Sequence, residues 1–72
     1  MKNLTEANIG EKVTVKGLDK DSTVKKRLLE MGVTPGATLQ VTGKAPLGDP
    51  IEVLVRGYKL TLRKNEADAI LI

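Results

Sequence analysis

The chain has 72 residues, 12 Lys plus Arg against 9 Asp plus Glu, a net charge of +3, and neither Cys nor His. That is one small domain near the lower size limit for a core without staples, and a disulfide framework or a Cys/His zinc site is excluded outright. Met1 to Glu6 lacks the apolar run of a signal peptide, and no segment approaches the ~20 apolar residues that span a bilayer, so the sequence reads as cytoplasmic and soluble.

Period-two alternation runs through most of the length. In Lys12-Val13-Thr14-Val15-Lys16 the two valines share one face, and Gly17 before Leu18 marks a bulge or bend. The period then changes: Val24, Leu28 and Met31 fall at helical spacing, behind Ser22 as N-cap with Asp21 beside it and ahead of Gly32 as C-cap. Lys25, Lys26 and Glu30 lie off that buried stripe. Thr34-Pro35-Gly36-Ala37 has the Pro and Gly of a type II turn.

Ala37 to Thr42, Ile51 to Arg56 and Tyr58 to Arg63 read as half-buried strands, the last two joined by a tight turn at Arg56-Gly57. Gly43 to Pro50 reads as a long hairpin loop, Lys64 to Asp68 as a loop or single turn, and Ala69 to Ile72 as a short closing strand. No repeat or linker interrupts the chain, which makes residues 1–72 a single domain. Five short strands need mutual closure to hide their edges. The predicted fold is mainly β: a small, partly open five-stranded barrel with one short helix between the first two strands. Its expected core is Val13, Val15, Leu18, Val24, Leu28, Met31, Leu39, Val41, Ile51, Val53, Val55, Leu60, Leu62, Ile70 and Ile72.

The chemistry is read by residue type. Without His or Cys, a nucleophile would need Ser22 or a Thr activated by Lys, and no such pair stands out, so no catalytic residue is assigned. Gly43 to Gly48 lacks the Lys-Ser/Thr ending of a phosphate loop. Asp19 with Asp21 and Glu66 with Asp68 are the closest acidic pairs, and they read as helix caps and solvated turn carboxylates. Iron(II) calls for some imidazole or thiolate, so neither a metal site nor a cofactor site is assigned. Nucleic-acid-binding barrels combine a basic groove with aromatic platforms. Here Tyr58 is the only aromatic residue and reads as a rim residue, while Lys25-Lys26-Arg27 and Arg63-Lys64 are the only adjacent basic groups. Leu54 faces outward, Leu71 is out of phase with Ile70 and Ile72, and Leu47 stands at the loop tip. These three form either a protein-contact patch or scattered exposure.

The order of these parts resembles the FeoA family of bacterial ferrous iron uptake. The resemblance rests on Leu4 through Gly10, on Lys26-Arg27-Leu28-Leu29-Glu30-Met31-Gly32-Val33-Thr34-Pro35-Gly36, and on Ala45-Pro46-Leu47-Gly48-Asp49-Pro50-Ile51. Gly57, Leu60-Thr61-Leu62-Arg63-Lys64, and Glu66-Ala67 before Ile70 complete it. The resemblance implies an SH3-like barrel, also found at the C-terminus of DtxR-like iron-dependent repressors. The Met1 start and the lack of DNA-binding helices favour the transport protein over a repressor fragment. It also implies a partner, FeoB, the inner-membrane ferrous iron transporter with a cytoplasmic GTP-binding domain, which the protein would support or regulate as an adaptor. The contact residues assigned on that basis are Lys25, Lys26, Pro46, Leu47, Pro50 and Leu54. A basic barrel binding nucleic acid and a weak carboxylate binder of transition metal are the alternatives, and Leu54 and Leu71 make self-association through an edge strand a further option.

Overall fold

The first extended run, Lys12 to Leu18, serves two sheets. In the computed structural model, which describes residues 2–20 and 23–72, β1 (Lys12–Thr14) pairs antiparallel with β3 (Thr38–Lys44), and β2 (Gly17–Leu18) pairs antiparallel with β6 (Ile70–Leu71). The switch falls between two neighbouring residues. Val15 N–H donates to the Ala37 carbonyl at 2.8 Å on the first sheet, and Lys16 N–H donates to the Leu71 carbonyl at 2.8 Å on the second. The bend expected near Gly17 is therefore a corner at which one run turns from sheet to sheet.

β3 continues into β4 (Ile51–Val55) and β5 (Tyr58–Leu62), giving a four-stranded sheet in the order β1-β3-β4-β5. Leu39, Val41, Ile51, Val53, Val55 and Leu62 are buried on its inner face. Gln40 lies opposite Leu54, which lies opposite Lys59, on the outer face. Arg56 and Gly57 both have positive φ, +48° and +86°, as a two-residue hairpin of the right twist requires. A register shift between Val41 and Gly43 inserts Thr42 as a bulge. The bulge reverses the alternation, so that Lys44 lies opposite the buried Ile51 and its Nζ reaches across to donate to the Thr5 carbonyl at 3.0 Å.

The helix α1 spans Lys25–Glu30 and buries only Leu28. It ends in a Schellman motif: Gly32 N–H donates to Leu29 carbonyl at 3.1 Å and Val33 N–H to Leu28 carbonyl at 3.0 Å, with Gly32 at φ +89°. The expected cap at Ser22, with Asp21, lies outside the described residues. The Thr34 to Ala37 turn closes at 2.9 Å with Gly36 at φ +91°, the type II geometry its Pro-Gly pair specifies.

Lys64–Asp68, expected as a loop or single turn, is a second helix, α2. The single-helix, five-stranded expectation is thus corrected among the described residues to two short α-helices and six strands in two open sheets. The sixth strand comes from the division of the first run. A 3-10 turn at Leu4–Glu6, capped by Asn3, packs against α2. The chain ends are paired side by side, with Asn3 bridging Leu71 and Ile72 N–H donating to the Lys2 carbonyl at 2.9 Å. Every residue expected in the core is buried or packed against it; Leu4, Ala7, Val33, Ala37, Ala67 and Ala69 join it unforeseen.

Candidate functional site around the start of α2

The loop between β3 and β4 is a compact hook. Ala45 N–H donates to the Pro50 carbonyl at 3.1 Å, and Gly48 N–H to the Ala45 carbonyl at 2.7 Å, so Pro46 and Leu47 are thrust outward at the tip. Leu47 is 91% exposed. At the root of the hook, Asp49 Oδ1 accepts the backbone N–H of Lys64 at 3.1 Å, which ties the loop to the first turn of α2.

That turn is organised by Glu66. Its Oε1 accepts the Arg63 N–H at 2.9 Å, the carboxylate half of a capping box. Its Oε2 accepts no hydrogen bond and lies 3.5 Å from Arg27 Nε of α1. Glu66 is 3% exposed, whereas the Arg27 side chain is 70% exposed. The reading of Glu66 as a helix-capping carboxylate therefore holds, and its expected solvation is corrected: the cap is buried. Burying an ionised carboxylate costs several kcal/mol unless it is paired, and here an amide and a guanidinium offset that cost.

These contacts place α1, the first turn of α2 and the hook in series. Lys25, half-buried, and Lys26, exposed, precede Arg27 on α1. Pro46, Leu47 and Pro50 follow on the hook beyond Lys64. Five of the six assigned residues therefore lie on elements that these two contacts link, α1 and the hook, and Leu54 does not join them. It sits on the outer face of the four-stranded sheet, half-buried between Gln40 and Lys59, away from the core that Leu28 enters.

Of the two readings of Leu47, Leu54 and Leu71, a contact patch or scattered exposure, the structure favours scattered positions. Leu71 is half-buried in β6 opposite Gly17, and only Leu47 is fully exposed. Sequence reasoning missed Ile9 and Leu29 as exposed apolar side chains, and it missed Glu66 and Arg63 as organisers of the site. The Arg63-x-x-Glu66 spacing of a capping box was the available signal. Tyr58, 45% exposed, donates its hydroxyl to the Met31 carbonyl and so fastens the start of β5 to the end of α1.

Among the described residues no three His, Cys, Asp or Glu side chains converge on a common point. With no imidazole or thiolate in the chain, the donor set does not fit a resident transition metal. No helix among the described residues is long and apolar enough to cross a membrane. Lys26, Arg27, Arg63 and Lys64 are exposed on these elements, as are Pro46 and Leu47 at the tip of the hook.

Two open antiparallel sheets with a sheet-switching first strand and short helices define a small SH3-like β-barrel domain. The same architecture is found in the zinc-complexed FeoA of Stenotrophomonas maltophilia, described as a prokaryotic SH3 domain protein. It superimposes with a TM-score of 0.85 over 99% of this chain and 88% of its own, at 24% identity. The FeoA domain model matches residues 2–72, and the chain belongs to the FeoA family. An FeoA-like protein from Clostridium acetobutylicum is 45% identical, with a TM-score of 0.88 over 96% of this chain and 80% of its own. A curated relative in Porphyromonas gingivalis, an Fe(2+) transport protein A/Fe(2+) transporter FeoB fusion protein, is 33% identical over 67 residues, which are 93% of this chain. The match spans only 8% of that fusion protein's length. The family is associated with ferrous iron transport.

Proposed function

We propose that this domain is a non-catalytic, cytoplasmic adaptor that binds the FeoB ferrous iron transporter and supports or regulates it. The observation that carries the reading is the Porphyromonas gingivalis relative, in which the same domain and the transporter are one polypeptide. Fusion places two functions at high effective concentration, and a separate domain reaches the same end by binding. Iron(II) is the transporter's cargo in this reading, and the adaptor holds no metal or cofactor of its own.

The proposed contacts are Lys25 and Lys26 on α1, Pro46, Leu47 and Pro50 on the hook, and Leu54 on the outer sheet face. The test is co-purification with the transporter together with its rate of GTP hydrolysis. A protein that neither co-purifies with FeoB nor alters that rate is not its adaptor. Leu47→Asp is expected to weaken the complex by about tenfold or more, in keeping with loss of an apolar anchor, while leaving the melting temperature unchanged. A 91% exposed side chain has almost no burial to lose in the free fold.

A further inference from the structure

The two runs of adjacent basic residues, Lys25-Lys26-Arg27 and Arg63-Lys64, are far apart in the sequence and meet in the fold. Arg27 faces Glu66 at 3.5 Å, and Glu66 in turn accepts the Arg63 N–H at 2.9 Å, so one buried carboxylate joins the two runs. It faces a single guanidinium. Among the described residues Lys25, Lys26, Arg63 and Lys64 form no ion pair, whereas Lys59 lies 3.9 Å from Glu52 and Lys44 is engaged at Thr5. The neighbouring acids offset part of this charge but leave Lys26, Arg63 and Lys64 exposed and, among the described residues, without an ion pair. Glu66 is buried beneath Arg27, Asp49 receives the Lys64 amide, and Glu30 and Asp68 close the opposite ends of their helices.

Local stability does not account for this placement. Lys25 and Lys26 open α1, which has no acidic residue in its first turn, whereas Lys64 opens α2 beside Glu66. The start of a helix carries exposed N–H groups and favours acidic side chains, so cations there work against the helix. Such a departure from the local rule at the start of α1 is what a surface kept for binding shows.

We propose that this basic ridge receives an acidic segment of the transporter, with Arg27 held ready by Glu66 and Lys26, Arg63 and Lys64 free to pair. The inference rests on the adaptor reading and names the chemistry of its contact. Charge complementarity of this kind speeds encounter and selects the partner.

The experiment measures association of the purified domain with detergent-solubilised FeoB over a series of sodium chloride concentrations, for the wild type, Lys26→Glu, Lys64→Glu and Lys12→Glu. Lys12 is exposed on β1, outside the ridge, and its reversal makes the same charge change. The expected result is association that slows steeply with salt, and about tenfold more with each ridge reversal, while Lys12→Glu behaves as wild type. Melting temperatures of all three variants should stay within a few degrees of wild type. Binding that is indifferent to salt and to the ridge reversals overturns the inference and leaves the adaptor reading intact. No binding by the wild type overturns the adaptor reading. In that case amide shifts on adding hexaglutamate decide the ridge: shifts confined to Lys26, Arg27, Arg63 and Lys64 sustain it as an acidic-segment site, and shifts spread over the surface or absent overturn it. Wild-type binding to phosphatidylglycerol vesicles lacking the transporter, lost in the ridge variants, replaces the acidic segment with lipid headgroups and overturns the proposal.

Discussion

Gly32 is where a single missing side chain shapes the molecule. Its φ of +89° is open to glycine and costly to other residues, and a Cβ there would meet the Tyr58 hydroxyl oxygen at 3.4 Å. Gly32→Ala should therefore lose about 1–2 kcal/mol in denaturant unfolding, from the left-handed penalty alone, since a contact at that distance is easily accommodated by the end of the Tyr58 side chain. Glu66 is the opposite case, a polar group drawn inward because it has work to do there. Glu66→Ala removes the amide acceptor at Arg63 and is expected to lower stability by about 1–2 kcal/mol, in the range of other lost caps. The Arg27 interaction adds little to that figure, since its guanidinium remains largely hydrated. If Glu66→Ala left the unfolding midpoint unchanged, the cap would have no energetic role.

Among the elements, the hairpin turn between β4 and β5 departs furthest from its own best chemistry. Arg56 occupies φ +48°, a position that Asn tolerates far better, and Asn-Gly is the favoured pair for this turn. Arg56→Asn is expected to raise stability by about 0.5–1 kcal/mol, read as a melting temperature higher by a few degrees in a domain of this size. The strands were legible in the sequence because alternation of Val, Leu and Ile with Thr, Gln and Glu survives in all the long ones. The turns at Pro35-Gly36 and Arg56-Gly57 were equally legible, since positive φ calls for glycine. α2 was not: five residues make little more than one turn and give no apolar stripe, only Ala67 and the buried Glu66. The bulge at Thr42 left no mark either, because Gly43 follows it inside a segment already rich in turn residues.

At the scale of the whole molecule, the small core leaves little redundancy. A domain of this length is held by roughly 0.05–0.15 kcal/mol per residue. Leu39, fully buried between β1 and β4, is expected to cost about 3–4 kcal/mol on truncation to Ala, enough to leave the domain partly unfolded at 37 °C by circular dichroism. The candidate site was half legible at this scale. The loop and α1 residues were identified by exposure and by resemblance, but their common position depends on Arg27 meeting Glu66, a contact between segments remote in sequence that no local pattern encodes. Leu54 was placed with them because outward pointing along a strand says nothing of which side of the molecule that face belongs to.

The paired chain ends have a mechanical consequence. Lys2 and Ile72 meet beside the antiparallel Asn3 and Leu71 bridge, so a polypeptide continued from both would enter and leave the domain at one point. In a longer protein the barrel would hang as a side lobe and not serve as a spacer. Tension along such a chain would open the terminal pairs one hydrogen bond at a time, as a zipper parts, and would detach β6 from β2 at low force before the four-stranded sheet bore any load.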